Sequence, residues 1–475
     1  MRALVEGFPF KWQAEIINKC HFTPKYWIAH DTGQTHLIPD GVVFHNAEDA
    51  YSGNPCKELT NSKIAYVPDS FYKDNVELLN VTLKMMYLRR GAYKKMLSKK
   101  MFSKIFTSDN HVRRFLYKEI SYWDYVLDSY GIELVIIESM PHIHYHYIIY
   151  YLAQKKDVKV VFFHGAPGNH TMRFFLCETM DELTPSGNIS ELSGENADKF
   201  TIERINKMPA YAIYDAAHPW ANKISFKGLH KRLFQKANDP INLAKWAVGG
   251  SLRILGSVFQ NLQSLPYSLE YLLTSTSDIP GKPFVYFPLH VRPEYSSYPV
   301  GGNFEDPVYC CEYLSQLLPE GFLIVVKEHP NQRYGTESNA YFWQYHELLN
   351  IHNVVLVRKS ISSFDLIKKS RAVAVVTGHS GWEGLTNNKP VIKFGHPWYD
   401  KCPYVYHVDT LRENVDMLKK DFIFDPVKVD EYYKEFIQAT HPGTTNLVAI
   451  PSIDISMDNN IASVVDAINK KIDAW

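Results

Sequence analysis

The sequence predicts an α/β fold with two parallel-sheet domains, and three observations carry that expectation. Short apolar runs alternate with helical periodicity in both halves of the chain. The stretch Leu134–Ile137, a helix from Ile143 to Lys155, and Val158–Phe163 reads as one βαβ unit, whose right-handed crossover makes its strands parallel neighbours. At 475 residues the chain exceeds one typical core, so two domains of roughly 150–200 residues are expected.

The first domain is expected over 1–180. Its strand-like runs are Tyr26–His30, Gly41–Phe44, Leu134–Ile137 and Val158–Phe163. Helical periodicity runs from about Phe71 to Arg90 and from about Val112 to Tyr130. Over 181–280 the text changes. The turn-rich run Thr184-Pro-Ser-Gly-Asn precedes helical Ala244–Leu262, which predicts a helical connector with mobile loops.

A second Rossmann-like domain is expected over 281–455. Its strands are Phe284–Leu289, Phe322–Val326, Val354–Val357, Ala372–Val376 and Val391–Phe394, with helices at Val308–Leu318 and Ser363–Lys369. Residues 456–475 form a terminal amphipathic helix with Ile461, Val464, Val465, Ile468 and Ile472 on one face. Two such domains face a cleft, and ligands in such sheets sit beyond the C-terminal strand ends.

Bulk composition narrows the function. Lys plus Arg and Asp plus Glu both number 51, so a general nucleic-acid binder with a basic excess is not expected. Six cysteines (Cys20, Cys56, Cys177, Cys310, Cys311, Cys402) show no CxxC spacing. Free thiols in a reducing cytoplasm fit that pattern, with no zinc site and no disulfide framework. There is no apolar run of signal-peptide or membrane-spanning length. Peripheral contact at the inner membrane stays open. His-Glu-x-x-His, GxxxxGK[ST] and GxSxG are absent from the sequence, which lowers metal hydrolysis, P-loop chemistry and α/β-hydrolase chemistry.

The candidate residues lie at predicted strand ends. After Ala372–Val376 comes Thr377-Gly378-His379-Ser380-Gly381-Trp382-Glu383, a small-residue turn opening a helix. Helix N-termini present free N–H groups and about half a positive charge, which suits phosphate. Ser380 would help hold it, Glu383 could accept ribose hydroxyls from the first helical turn, and the glycines permit close approach. The alternative is a capping box of Ser380 and Glu383. Lys327, Glu328, His329 and Pro330 close another strand, where charge needs a partner or an opening. Arg292 could clamp an anion with its planar fork, or pair with Glu294. Gly395-His396-Pro397-Trp398-Tyr399 either shapes a lid or packs under the domain.

In the first domain Glu138 follows Leu134–Ile137 and is the leading general base or nucleophile, with His142 and His144 nearby. His164 follows the next strand, before a Gly-Ala-Pro-Gly turn, as a donor to an acceptor substrate. Asp31, after Tyr26–His30, is a further acid candidate. Ordinary loop chemistry is the alternative for each.

Four segments together resemble bacterial capsule polysaccharide biosynthesis proteins, a group that includes transferases of 3-deoxy-manno-octulosonic acid (Kdo). They are Phe287–Glu294, Val326–Pro330, Thr377–Glu383 and Lys389–Gly395. The resemblance is strongest over 282–405 and weaker over 130–170. It implies a GT-B glycosyltransferase, with the acceptor bound by 1–180, a CMP-linked donor held by 281–455, and a terminal helix that crosses back. It implies that His329-Pro330 contact the nucleotide and that Thr377 and Ser380 hold the phosphate. It also implies no metal and no separate cofactor. A cleft acid or base such as Glu138 then acts on the acceptor or the anomeric carbon. The pattern departs at His379, where a small hydroxyl residue is usual. Expected partners are a nucleotide-sugar donor and a glycan or glycolipid acceptor, with capsule-assembly contacts open. Competing expectations are an epimerase or hydrolase of UDP-sugars with similar domains, and a non-catalytic capsule-assembly scaffold.

Overall fold

The computed structural model describes residues 1–33, 37–60, 63–88, 109–166, 173–180, 266–292, 298–329, 332, 343–446, 450 and 455–475. Residues 181–265 of the connector predicted over 181–280, its helix Ala244–Leu262, the turn at Thr184, Pro330 and Glu294 lie outside those residues.

The first sheet has seven strands: β1 (Arg2–Glu6), β2 (Thr23–Ala29), β3 (Val43–Asn46), β4 (Leu134–Ile137), β5 (Lys159–Ala166), β6 (Arg173–Cys177) and β13 (His441–Pro442). They lie in the order β13-β6-β5-β4-β1-β2-β3. The five from β3 to β5 are parallel, while β6 and β13 add antiparallel. Strand β1, the sheet's centre, is the element the sequence reading passed over. It is five residues long and starts at the second residue, too short for periodicity to separate from a loop.

Side chains alternate across each strand, and this sorts the core into two layers. Leu4, Val135 and Ile137 face helices Val76–Leu88, Asp109–Ser129 and His144–Lys155. Ala3, Val5, Leu134 and Ile136 face helices Lys11–Lys19 and Met457–Asp473. The terminal helix therefore packs on the first sheet.

The second sheet contains β7 (Phe284–Pro288), β8 (Leu323–Lys327), β9 (Val354–Val357), β10 (Ala372–Val375), β11 (Val391–Lys393) and β12 (Val405–His407). All of its pairings are parallel, in the order β12-β11-β10-β7-β8-β9. The expected α/β class with two parallel-dominated sheets is borne out. Fully buried apolar runs such as Ala372–Val375 match a parallel sheet covered on both faces. Two covering helices begin with Asp-Pro: Asp306 accepts from the Val308 amide and Asp425 from the Val427 amide, each at 3.0 Å. Residues 266–274 are helical and pack on this sheet rather than standing apart as connector. The Glu270 carboxylate accepts from the amides of Trp343, Tyr345 and His346 at 3.0–3.2 Å, capping helix Gln344–Asn350.

Helix Pro426–Gln438 leaves the second lobe and leads into β13. The Phe436 ring meets Phe175 of β6 at 5.9 Å and Trp398 at 4.6 Å, so the buried core runs between the lobes. Arg173 Nε donates to Thr440 Oγ1 at 2.7 Å, and its Nη2 donates to the Ile437 carbonyl at 3.0 Å. A second bridge is ionic. The Lys84 ammonium lies 3.1 Å from Glu305 and 4.7 Å above the Tyr298 ring. The six cysteines are buried and free. Among the described residues no helix is long and apolar enough to cross a membrane.

One buried acid in this core gives a stability prediction. Burial pushes the Glu119 carboxyl up to about 8, against the pull of the Trp123 indole N–H, which donates at 3.0 Å. A raised acid contributes its stability below the unfolded value of about 4.5 and loses it as pH rises through about 8. Glu119→Gln keeps an acceptor and removes the charge. Its melting temperature is expected to fall less between pH 5 and 9 than that of the parent, as followed by circular dichroism.

Candidate functional site

Each sheet has one point where the strand order reverses, and Glu138, His329 and the Thr377–Ser380 turn lie at the strand ends there. In the first sheet β1 leads to β2 and β3 on one side and β4 and β5 on the other. In the second, β7 leads to β8 and β9 on one side, with β10 to β12 on the other. Crevices at such switch points, beyond the C-terminal strand ends, are where open α/β sheets hold ligands.

At the second switch point β7 runs into Leu289-His290 and β10 into Val376-Thr377-Gly378. The Thr377 amide donates to His290 Nε2 at 3.4 Å, and a Cβ on Gly378 would stand 2.8 Å from that nitrogen. His329 follows the adjacent strand β8. Burial pushes His290, His329 and His379 each down to about 4, with charged neighbours adding to the effect on the first two. All three imidazoles are neutral at pH 7, so they can both donate and accept. Positive charge comes from Lys327 and Lys359, both lowered by burial. Lys327 Nζ donates to the Ile361 carbonyl at 2.6 Å and to Ser363 Oγ at 2.9 Å.

The helix after β10 spans His379–Thr386, with Gly378 as N-cap and no side-chain cap. The capping-box alternative therefore fails: Ser380 is the second helical residue, half-buried, and its first-turn position leaves backbone donors uncapped. Glu383 is not in the first turn. It lies one turn further on, close enough to Tyr286, Lys327 and Tyr399 to act on their ionisation.

The glycines also differ from expectation. A Cβ on Gly381 would meet the Tyr399 hydroxyl at 2.1 Å and Val375 at 3.0 Å, and one on Gly384 would meet Val373 at 2.9 Å. These two glycines seat the helix on its own sheet rather than admitting a ligand. Tyr399 also donates to the Gly378 carbonyl. Trp398 and Tyr399 are buried against Trp382, so Gly395–Tyr399 packs under the domain, with His396 and Lys393 both on Asp400.

Two expected donor residues face inward. Glu328 is fully buried, accepting from the Tyr345 hydroxyl at 2.5 Å and from the His329 amide at 2.7 Å. Arg292 is 7% exposed, and its fork reaches Gln344 Oε1 at 2.8 Å instead of an opening.

At the first switch point β1 ends in Glu6-Gly7-Phe8 and β4 in Glu138. Gly7 (φ 92°) and Phe8 (φ 60°) are both left-handed, a rare conformation for phenylalanine. The bend aims the Phe8 amide at Glu138 Oε2, 3.0 Å away. Glu138 Oε1 accepts from Gln13 Nε2 at 2.7 Å. Burial pushes the Glu138 carboxyl up to about 7, and the nearby Glu6 adds to this, against the two donors. Glu138 thus combines a fixed orientation with titration near neutrality, the profile of a general base.

The other first-lobe candidates stand apart. Strand β5 extends through Ala166, so His164 sits inside a β5–β6 ladder rather than in a loop, its ring stacked on Phe175 at 4.9 Å. Burial pushes it down to about 4. Asp31 is exposed and accepts from the Gly33 amide at 2.9 Å, a local turn. His144 lies in the core, 4.0 Å from Glu119, and His142 Nδ1 donates to the Met140 carbonyl at 2.6 Å. The sequence reading missed Glu6, Gln13 and His290. Glu6-Gly7 after three apolar residues was the available signal for the first.

Residues 315–403 match the family model described as capsule polysaccharide biosynthesis protein. That bears out the resemblance expected from these residues. The match includes Lys327–His329 and Thr377–Glu383 but neither His290 nor the first lobe. No curated protein matches the chain. Among solved structures the chain is similar to the Thermosulfurimonas dismutans KpsC β-Kdo 2,7-transferase, at 12% identity, 76% of this chain, 90% of that chain and a TM-score of 0.32. It is similar to the UDP-GlcNAc 2-epimerase of Methanocaldococcus jannaschii at 10% identity, 92% of this chain, 98% of that chain and a TM-score of 0.25. Anabaena Alr3699/HepE in complex with UDP-glucose gives 10%, 100%, 100% and 0.27. Likenesses of this size carry no argument about this chain.

The packing at Gly381 can be tested. Alanine in a helix interior gains up to about 1 kcal/mol over glycine. Here the added methyl meets the buried Tyr399, and overpacking costs about 1–3 kcal/mol. Gly381→Ala is expected to lower the denaturation midpoint, and Tyr399→Phe in the same chain to restore part of it.

Proposed function

We propose that this protein is a glycosyltransferase of capsule polysaccharide biosynthesis, of GT-B form. In this reading it moves a Kdo-like acid sugar from a CMP-linked donor to a glycan or glycolipid acceptor. One observation carries the reading: the family-matched segment holds the strand ends and uncapped helix N-terminus at the second switch point. Such a helix start offers N–H groups and partial positive charge to a phosphate. His329 and His290, as neutral imidazoles, would donate to the nucleotide, and Lys327 and Lys359 lend positive charge to the leaving phosphate. That supply of charge is why the reading needs no metal ion.

Glu138 supplies the second half of the chemistry. Its carboxylate would take the proton of the acceptor hydroxyl, with Gln13 and the Phe8 amide fixing its direction. A general base works deprotonated, so turnover is expected to rise as pH passes about 7. Assignment of the acceptor to the first lobe rests on this residue.

The test joins binding to turnover. CMP is expected to raise the melting temperature more than UDP does, and a UDP preference moves the reading to the epimerase class. His329→Ala should weaken CMP binding by about 3- to 10-fold, the worth of one neutral hydrogen bond. Glu138→Gln should abolish transfer to acceptor while leaving the CMP shift intact. Unchanged transfer removes Glu138 from the mechanism.

A further inference from the structure

Strand alternation places Glu6 and Glu138 on opposite faces of the first sheet at the same edge. Glu6 shares the face of Leu4, toward helix His144–Lys155. Glu138 shares the face of Ile136, toward helix Lys11–Lys19. The strands are hydrogen-bonded neighbours, and the Glu138 amide donates to the Glu6 carbonyl at 3.0 Å. Glu6 is 7% exposed, a carboxylate that needs partners. On its own face the Tyr145 hydroxyl donates to Glu6 Oε1 at 3.2 Å, and His146 Nε2 lies 2.8 Å from the same oxygen without hydrogen-bond geometry. Gly7 joins the two acids. A Cβ there would stand 2.4 Å from Glu138 Cβ.

We propose that Glu6, hydrogen-bonded by Tyr145 and flanked by His146, is the charge-setting neighbour of Glu138 across the edge of the first sheet. The proposal rests on the reading of Glu138 as the general base and names the residues behind it. The Glu6 carboxyl stands across the strand pair from the carboxylate that must take a proton. His146 and Tyr145 limit how much of its charge Glu138 feels. Among the described residues, these groups surround the pair. Helix Lys11–Lys19 presents the uncharged Gln13, the return segment presents Thr445, and β1 presents Glu6. Helix His144–Lys155 presents Tyr145 and His146, with the His142 ring 5.9 Å from His146.

The two substitutions have opposite signs. Glu6→Gln removes an acidic neighbour, so Glu138 should titrate lower. His146→Gln leaves that acid and removes the imidazole beside it, so Glu138 should titrate higher. A merely structural pair would move both variants in the same direction. The titration is read without any sugar donor, from thermal stability between pH 4.5 and 8.5 against a Glu138→Gln reference. The Glu138 contribution is present below about 4.5 and lost as pH rises through about 7. The acid limb of the turnover profile should shift in the same sense as the stability titration. If Glu6→Gln does not fold, Tyr145→Phe, which removes one hydroxyl, should give the upward shift. A titration unmoved by these changes, or moved alike by Glu6→Gln and His146→Gln, overturns the proposal. Opposite shifts with no transfer from any CMP- or UDP-linked donor uphold the pairing and sink the transferase.

Discussion

A single side-chain amide ties the first lobe's site to the end of the chain. Gln13 is fully buried, and its Nε2 donates both to Glu138 and, at 2.6 Å, to the Thr445 carbonyl, while its Oε1 accepts from the Phe10 amide at 3.1 Å. Every polar atom of that side chain has a partner, which is what a buried amide requires. Three segments far apart in sequence thereby meet: the helix after β1, the end of β4 and the return segment after β13. The Glu138 geometry depends on all three. Its orientation is a product of the fold and not of β4 alone.

The second switch point is built on a different principle. Its candidate groups are neutral imidazoles and uncapped amides, with lysine ammoniums held partly out of water. Neutral groups cost less to bury than ions, and an incoming phosphate would bring the charge that organises them. Glycine serves this arrangement indirectly. Gly378 makes room for His290, and Gly381 and Gly384 let the helix lie close on β10 and β11. The first switch point, by contrast, brings two acids together, Glu138 bonded by a backbone amide and a glutamine and Glu6 by a tyrosine.

Most of the second sheet was legible because its strands are continuous apolar runs closed by charge or glycine. Val354–Val357 and helix Ser363–Lys369 were placed at their observed bounds. The first sheet was read less well. Strand β1 is short, β6 and β13 are added antiparallel by tertiary contact, and none carries a periodic signal. Site residues divide along a similar line. Type and position at a strand end identified Glu138, His329 and the Thr377 turn. Direction could not be read that way, since Arg292 and Glu328 sit at equivalent places and turn inward toward Gln344 and Tyr345. His290 was passed over because its importance lies in contact with Gly378, far away in sequence.

The return of the chain to its own beginning also sets an order of events at the ribosome. Ala3, Val5, Leu134 and Ile136 of the first lobe are covered by helix Met457–Asp473 together with helix Lys11–Lys19. Helix Met457–Asp473 is translated after every strand of the second sheet. A nascent first lobe therefore emerges with that face covered by helix Lys11–Lys19 but not by its second helix, which follows the second lobe. Vectorial synthesis leaves that apolar face half-covered until the second lobe has been made, a state open to non-native association.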